Sequence, residues 1–289
     1  MNDMMRIENA LTVALAEADH QPCPPGLGEA MRYAVFPAGG RIRPRLTLAV
    51  SQACGDSAPV AADAAASAIE LLHCASLIHD DLPCFDNAAT RRGKPAVHVA
   101  YGERLAVLAG DALIVTAFDT LGRAATDAPE RLPLLLGTVA KSVGLPGGIV
   151  AGQAWECEDR VNLDRYEQAK TGSLFAAASV AGAVAAGVDS APWRTLGAKL
   201  GEAYQVADDL RDVLSDAEEL GKPTGQDAAN DRPSAVRQYG LDGAKKHLES
   251  LVEGAIESIP ACPGQAELKT QIRAETKRFM PKEPARAVA

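Results

Sequence analysis

The sequence predicts an all-α protein, one large helical bundle running through residues 1–289 as a single domain. Three observations carry that reading. Apolar residues recur at the helical period along nearly the whole chain. The composition is 47% apolar but only 4% aromatic, with Ala plainly overused, which suits closely packed helices better than a β-sandwich. No run alternates apolar and polar residues for long enough to make paired strands, so a parallel sheet of βαβ units is disfavoured. No internal repeat or low-complexity linker divides the chain.

Taken in order, Ile7, Leu11, Ala14 and Ala18 line one face of a first helix. It must stop at Pro22, Pro24 and Pro25, so residues 1–26 read as an N-terminal helix and a Pro-rich turn. The period then predicts helices over 27–35, 46–54, 61–79, 103–125, 132–143, 149–158, 163–174, 176–187, 192–215, 234–239, 242–259 and 266–279. The tail over 281–289 should fray. The irregular stretches are 38–44, 82–95, 144–148 and 216–233, and three of them concentrate Arg, Lys and Asp beside Gly or Pro. Polar loops on a rigid helical frame are a usual place for a functional site.

Composition also removes whole classes of function. With 47% apolar and 23% charged residues the chain can bury a large core, which excludes disorder. A formal net charge of −9 argues against a nucleic-acid partner, which requires a basic surface. The longest uncharged stretch, 171–188, is built of Ala, Gly, Ser and Val and reads as a buried helix rather than a membrane span. The first residues carry Asp3, Glu8 and Glu17, unlike an export signal, and the six cysteines form no C-x-x-C pair. The expected location is the cytoplasm, with the thiols buried.

Two acidic clusters then stand out. On a helical wheel of 196–215, Leu196, Leu200, Ala203, Ala207, Leu210 and Leu214 form one stripe. Gln205, Asp208, Asp209 and Asp212 fall nearly opposite, at i, i+3, i+4 and i+7. Taken alone, D-D-x-x-D reads equally as a solvated acidic face. The first cluster is different: Asp80, Asp81 and Asp86 emerge from the end of a largely apolar helix, with His73 seven residues before Asp80. Negative charge is disfavoured at a helix C-terminus, so a counter-cation must offset it. Two acidic triads point to a hard cation, Mg²⁺, bridging carboxylate and phosphate oxygens.

Basic residues stand where a phosphorylated ligand would need them: Arg41 and Arg43 in a Gly/Pro loop, Arg91, Arg92 and Lys94 after the first triad, then Lys170 and Lys222. Each alone reads as a surface cation. Together, beside the acidic triads, they suit a diphosphate held by metal on one side and by Arg and Lys on the other. No P-loop sequence is present.

The ordered motifs G-G-R-I-R-P (39–44), L-L-H-C-A-S-L-I-H-D-D-L-P-C-F-D (71–86), R-R-G-K-P (91–95), G-D-A-L (110–113), G-Q (152–153), K-T-G (170–172), Y-Q-V-A-D-D-L-R-D (204–212) and G-K (221–222) resemble the trans-isoprenyl diphosphate synthases, the polyprenyl synthetases. The resemblance spans residues 32 to about 235. It implies a compact helical bundle, usually a homodimer, with a deep cavity between the two aspartate motifs. It implies an Mg²⁺-dependent transferase that joins isopentenyl diphosphate to an allylic diphosphate (dimethylallyl, geranyl or farnesyl), in isoprenoid and carotenoid supply. No membrane span and no nucleic acid belong to that picture.

Carried over by position, Asp80, Asp81 and Asp86, with Asp208, Asp209 and Asp212, would ligate three Mg²⁺ ions on the allylic diphosphate, with Mn²⁺ as a substitute. Arg91, Lys170 and Lys222 match groups that hold that diphosphate. Arg43, His73 and Arg92 match groups that hold isopentenyl diphosphate, with Gly40 and Arg41 completing the loop. Thr171 and Gln205 match groups near the developing carbocation. The chain departs from the usual pattern at Asn87-Ala88-Ala89-Thr90, which lacks extra acids, at Arg41 and Arg232, where Lys is commoner, and at Glu156, where Asp often stands.

The resemblance also bears on product length. Ala75 occupies the position, five residues before Asp80, where an aromatic in the family stops growth near C15, and Ser76 beside it is also small. Small residues there imply a C20 product, geranylgeranyl diphosphate. The alternatives are a C15 synthase or a non-catalytic partner subunit, and the intact triads count against the latter. Separately, Ala75 also reads as a packing residue, with the floor elsewhere near Phe118 in 112–121.

Overall fold

A computed structural model describes residues 2–19, 22–36, 39–124, 126–158, 165–166, 168–214 and 234–277. Among these, twelve α-helices enclose a main apolar core and a second, smaller apolar cluster, and the only sheet is a hairpin of two-residue strands. The all-α prediction holds.

α1 (Asp3–Ala14) starts at Asn2, whose side chain accepts from the Met4 N–H at 2.9 Å. α2 (Pro25–Val35) opens with Pro at its first position, where no N–H is required. α3 (Ile42–Ala53) begins four residues earlier than the period predicted. Pro44 lies within its first turn, where a missing N–H costs nothing, so the proline does not delay the helix. α4 (Pro59–Asp80) is 22 residues long and carries the first acidic motif at its end.

The hairpin pairs Thr90 with Pro95 and Arg91 with Lys94. Its turn residues, Arg92 and Gly93, both have positive φ (54° and 74°), the two-residue turn whose twist matches a hairpin. α5 (Val97–Tyr101) and α6 (Glu103–Ala124) follow, then α7 (Leu132–Val143) and α8 (Ile149–Trp155). A π-helical turn (Gln168–Gly172) leads directly into α9 (Ser173–Ala186).

α9 is the axis of the bundle. Every residue from Leu174 to Ala186 is buried, and the helix touches α3, α4, α7 and α10. Two glycines set the spacing: a Cβ on Gly182 would lie 2.4 Å from the Thr47 carbonyl oxygen, and one on Gly197 would lie 2.3 Å from that of Phe175. The overuse of Ala is therefore close helix packing, as the composition implied. The stretch read as a buried helix is one.

α10 (Arg194–Leu214) carries the second acidic motif and packs on α11 (Ala235–Glu257) through Ala203, Val206, Ala207 and Leu210. Gly240 breaks the helical path inside α11 at φ 70°, where the sequence placed a boundary between two helices. α12 (Gln265–Thr276) closes the described chain. Among the described residues, three helical segments are long and apolar enough to cross a membrane by length and composition: α4, α6 and 168–186. The apolar windows of α4 and 168–186 are mostly inside the protein, whereas only 33% of the α6 window is buried.

Candidate active site

The last turn of α4 places Asp80 and Asp81 at the helix C-terminus, where free carbonyls already carry negative potential. The loop that follows folds back on itself. The Asp86 N–H donates to the Asp80 carbonyl at 3.0 Å, and the Ala88 N–H to that of Asp81 at 3.2 Å. The four residues between Asp81 and Asp86 thus return the third aspartate to the backbone of the first.

Each carboxylate of the helix end meets a cation. Asp81 is buried and forked by Arg91, whose Nε donates to both oxygens at 3.0 and 3.1 Å and whose Nη2 makes a further short contact. Burial pushes the Asp81 carboxyl up from its ordinary value, against the pull of Arg91. Asp80 is 17% exposed, and its Oδ1 has no hydrogen-bond partner. That oxygen lies 3.4 Å from Lys170 Nζ, close enough for charge attraction but with no hydrogen bond formed.

Lys170 comes from the π turn. Its ammonium donates to Glu156 Oε1 at 2.5 Å, and the Tyr166 hydroxyl donates to the same oxygen at 2.6 Å. Burial works against the lysine charge, but Asp80, Tyr166 and Glu156 outweigh it and hold its pKa above the ordinary value. Lys170 is a fixed cation between two acids.

A second chain of contacts starts one residue on. The Thr171 hydroxyl donates to Gln205 Oε1 at 3.0 Å, and Gln205 Nε2 donates to Asp209 Oδ1 at 3.0 Å. The other Asp209 oxygen accepts from the Ala235 N–H at 2.8 Å, at the start of α11. Asp209 is therefore turned into the protein. Asp208 lies 3.5 Å from Arg211 Nη1, and Asp212 is buried on the same face of α10 as Asp208.

A separate cationic group forms where α3, α4 and the hairpin turn meet. The Arg43 guanidinium stacks over Phe175, 4.5 Å from the ring centre, with Tyr204 at 5.7 Å. Its Nη1 is 3.4 Å from His73 Nε2, and its Nε has no hydrogen-bond partner. Burial first, then Arg43, Arg92, Arg91 and Arg41, hold His73 well below its ordinary pKa, so the ring is neutral. Arg92 lies over Gly39, where a Cβ would fall 2.6 Å from its Cζ. Gly40 is exposed beside it.

Among the described residues no three His, Cys, Asp or Glu side chains converge as a ready-made metal site. The unpartnered, buried Asp80 Oδ1 and an all-oxygen donor set nevertheless fit a hard divalent cation that keeps part of its water shell.

The model of the polyprenyl synthetase family matches residues 24–269. The chain belongs to the polyprenyl synthetase family. It is 54% identical over 283 residues to a geranylgeranyl diphosphate synthase of Cereibacter sphaeroides, covering 98% of each chain. It is 52% identical over 275 residues to that of Rhodobacter capsulatus, covering 95% of each. Among solved structures it resembles a geranyltransferase from Helicobacter pylori complexed with magnesium and isoprenyl diphosphate, with TM-score 0.79 and 31% identity over 96% of this chain and 98% of that one. It also resembles a geranylgeranyl pyrophosphate synthetase from Pyrococcus horikoshii, with TM-score 0.80 and 27% identity over 97% and 96%. Members of the family are Mg²⁺-dependent prenyltransferases.

Within this polyprenyl synthetase the expected residues divide. Asp80, Asp81, Arg91 and Lys170 form one group, Thr171, Gln205 and Asp209 a second, and Arg43, His73 and Arg92 a third. Arg41 does not join the third: its side chain is fully buried between Glu8 and Glu70. Lys222 and Arg232 lie outside the described residues. Ala75 is 1% exposed within the core, whereas Ser76 is partly exposed and donates from Oγ to the His73 carbonyl at 2.8 Å. Sequence reading noted Glu156 only as a departure and did not single out Tyr166. Glu156 lies three residues after the G-Q pair, an acid at helical spacing from a polar residue, which was the available signal.

Proposed function

We propose that this chain condenses isopentenyl diphosphate with an allylic diphosphate to make geranylgeranyl diphosphate, releasing diphosphate. The observation that carries the reading is the division of charge: an acid-rich group around Asp80 and Asp81 held by Lys170 and Arg91, and apart from it a group without acids, Arg43 and Arg92 with the neutral His73. Two diphosphates of different fate need two such places.

Asp80, Asp86, Asp208 and Asp212 would hold Mg²⁺, three ions in all, with Mn²⁺ as a substitute. Asp81 and Asp209, whose oxygens are engaged by Arg91 and by Gln205 and the Ala235 N–H, orient the two motifs around them. When bound, the metal supplies Lewis-acid stabilisation of the negative charge that develops on the departing diphosphate. Lys170, Lys222 and Arg91 add fixed positive charge on the same oxygens. Arg43, Arg92 and His73, with Gly40 in the adjoining loop, hold isopentenyl diphosphate without metal. The Thr171 hydroxyl and the Gln205 carbonyl place oxygen dipoles beside the allylic cation left when its C–O bond breaks. The isopentenyl double bond attacks that cation, and the released diphosphate takes the proton lost from the isopentenyl carbon next to the new cationic centre, which restores a double bond. No protein nucleophile is used. The expectation of buried thiols holds for Cys74 alone: Cys84 and Cys157 are exposed and Cys23, Cys54 and Cys262 half-buried, because they stand on loops and helix ends rather than on core faces.

A small Ser76 lets the growing tail pass to C20. The second reading, arrest at C15, draws on the burial of Ala75, which marks it as a packing residue between α4 and the core. Purified protein is incubated with isopentenyl diphosphate, Mg²⁺ and each allylic primer in turn, and product length is read by chromatography. A dominant C20 product is expected; arrest at C15, or no condensation, overturns the reading. Ser76→Phe should move the product to C15, whereas Ala75→Phe should chiefly overpack the core and lower Tm.

The enzyme works in the cytoplasm as a homodimer of one-domain chains. The largely uncovered α6, with Val107, Leu108 and Val115 exposed, is the face a second copy would bury. Light scattering that gave the mass of one chain would remove that assignment.

A further inference from the structure

Arg41 sits just before α3 with φ 48°, a left-handed conformation that disfavours a residue with a Cβ. Its side chain explains why it is held there. The guanidinium is 0% exposed and meets acceptors from three other helices. Nε donates to Glu8 Oε1 on α1 at 2.8 Å, Nη1 to Glu70 Oε1 on α4 at 2.7 Å, and Nη2 to the Val35 carbonyl at the end of α2 at 2.9 Å. One planar fork thus fixes where α3 begins relative to α1, α2 and α4.

That fixed point lies next to the group of Arg43, His73 and Arg92 without belonging to it. Arg43 follows Arg41 by two residues, and Glu70 precedes His73 by one turn of α4. The Arg41–Glu70 contact therefore sets the offset between α3 and α4 at the level where Arg43 Nη1 meets His73 Nε2. Gly39, two residues back, is the surface on which the Arg92 guanidinium rests. Both arginines and the neutral His73 thus meet the segment that Arg41 anchors.

Docking of α1 does not require this contact. Arg6 bonds Asp56, Asp63 and the Pro59 carbonyl, and Ile7 and Leu11 enter the core. The Glu8 carboxylate is thus free to serve the loop rather than the helix that carries it.

We propose that Glu8, Arg41 and Glu70 are positioning residues for the isopentenyl diphosphate subsite, so that the N-terminal helix helps set affinity for that substrate alone. This rests on the reading of Arg43, His73 and Arg92 as that subsite. Steady-state kinetics are measured on full-length Glu8→Gln, Arg41→Lys and their double variant, varying each substrate at saturating levels of the other, with Tm recorded for each. Glu8→Gln should raise KM for isopentenyl diphosphate about fivefold, with kcat and the allylic KM within about twofold of the parent. Arg41→Lys keeps the charge but cannot hold three acceptors, so it should raise that KM further. In its background Glu8→Gln should add nothing.

An unchanged KM for isopentenyl diphosphate in Glu8→Gln, or an equal rise in both substrates' KM, overturns the proposal. Glu8 is 29% exposed, so its variant should fold even if Arg41→Lys does not. Arg43→Gln tests the subsite itself: a rise in the allylic KM instead of the isopentenyl one would remove the underlying reading and leave the two failures distinct.

Discussion

The first acidic motif ends α4, where Asp80 and Asp81 face the negative pole of the helix and are balanced by Lys170 and Arg91, both drawn from other segments. In the second, the adjacent pair Asp208 and Asp209 lies more than a turn before Leu214, where the described part of α10 ends, and Asp209 is engaged by Gln205 and the first N–H of α11. Two D-D pairs therefore answer to different needs. At a helix end, acids require cations, and those cations are then in place for an anionic ligand. Inside a helix, one acid of the pair can be turned inward to join neighbouring helices while its partner one position away stays at the surface.

The comparison is broken most sharply by removing one carboxylate from each motif. Asp80→Ala should cut kcat on the order of a thousandfold while leaving Tm nearly unchanged, since its Oδ1 accepts no hydrogen bond. Near-normal turnover would remove Asp80 from the reaction. Asp209→Ala should do the reverse in stability, costing about 2 kcal/mol by stranding the Gln205 amide and the Ala235 N–H, read as a lowered Tm. A Tm equal to the parent would show that the second motif carries no structural load.

Adding Mg²⁺ with inorganic diphosphate should raise Tm by several degrees in the parent and in Asp81→Asn, but not in Asp80→Ala. Equal shifts in all three would mean that the ions bind elsewhere. The smallest effect concerns His73. Its folded pKa is lowered, so below about pH 6.5 the unfolded chain takes up a proton that the folded chain refuses, and stability falls as pH falls through that window. His73→Gln should flatten that slope in chemical denaturation, and an unchanged slope would assign it to other groups.

Much of this was readable from residue order. The apolar period located the long helices, and the turn chemistry of Gly240 marked the break in α11. Both are local properties. The start of α3 differs because 38–44, with its Gly and Pro, reads as irregular, whereas Pro44 falls within a first turn that tolerates it. α5 is too short for its period to register, and its five residues are positioned by the hairpin and α6. In the site, residue types and order named the acids and cations correctly as a group, but not their directions. Asp209 and Arg41 point inward because of Ala235, Glu8 and Glu70, which lie 26 or more residues away in sequence and leave no trace in local spacing. Glu156 was visible only as an unusual acid until Lys170 was seen against it.

The π turn at Gln168–Gly172 has a further consequence. It sits directly before the most regular and most deeply buried helix in the molecule, and it lets consecutive residues serve different partners: Lys170 reaches Glu156 while Thr171 reaches Gln205. It works as a phase shifter, separating the angular setting of the site from that of the core, so that each can be fitted to its own neighbours. Idealising those five residues into a plain α-helix would make a tidier backbone and re-aim both side chains at once. For anyone seeking a hardier variant of this enzyme, that irregular turn is the most tempting place to repair and the one to leave alone.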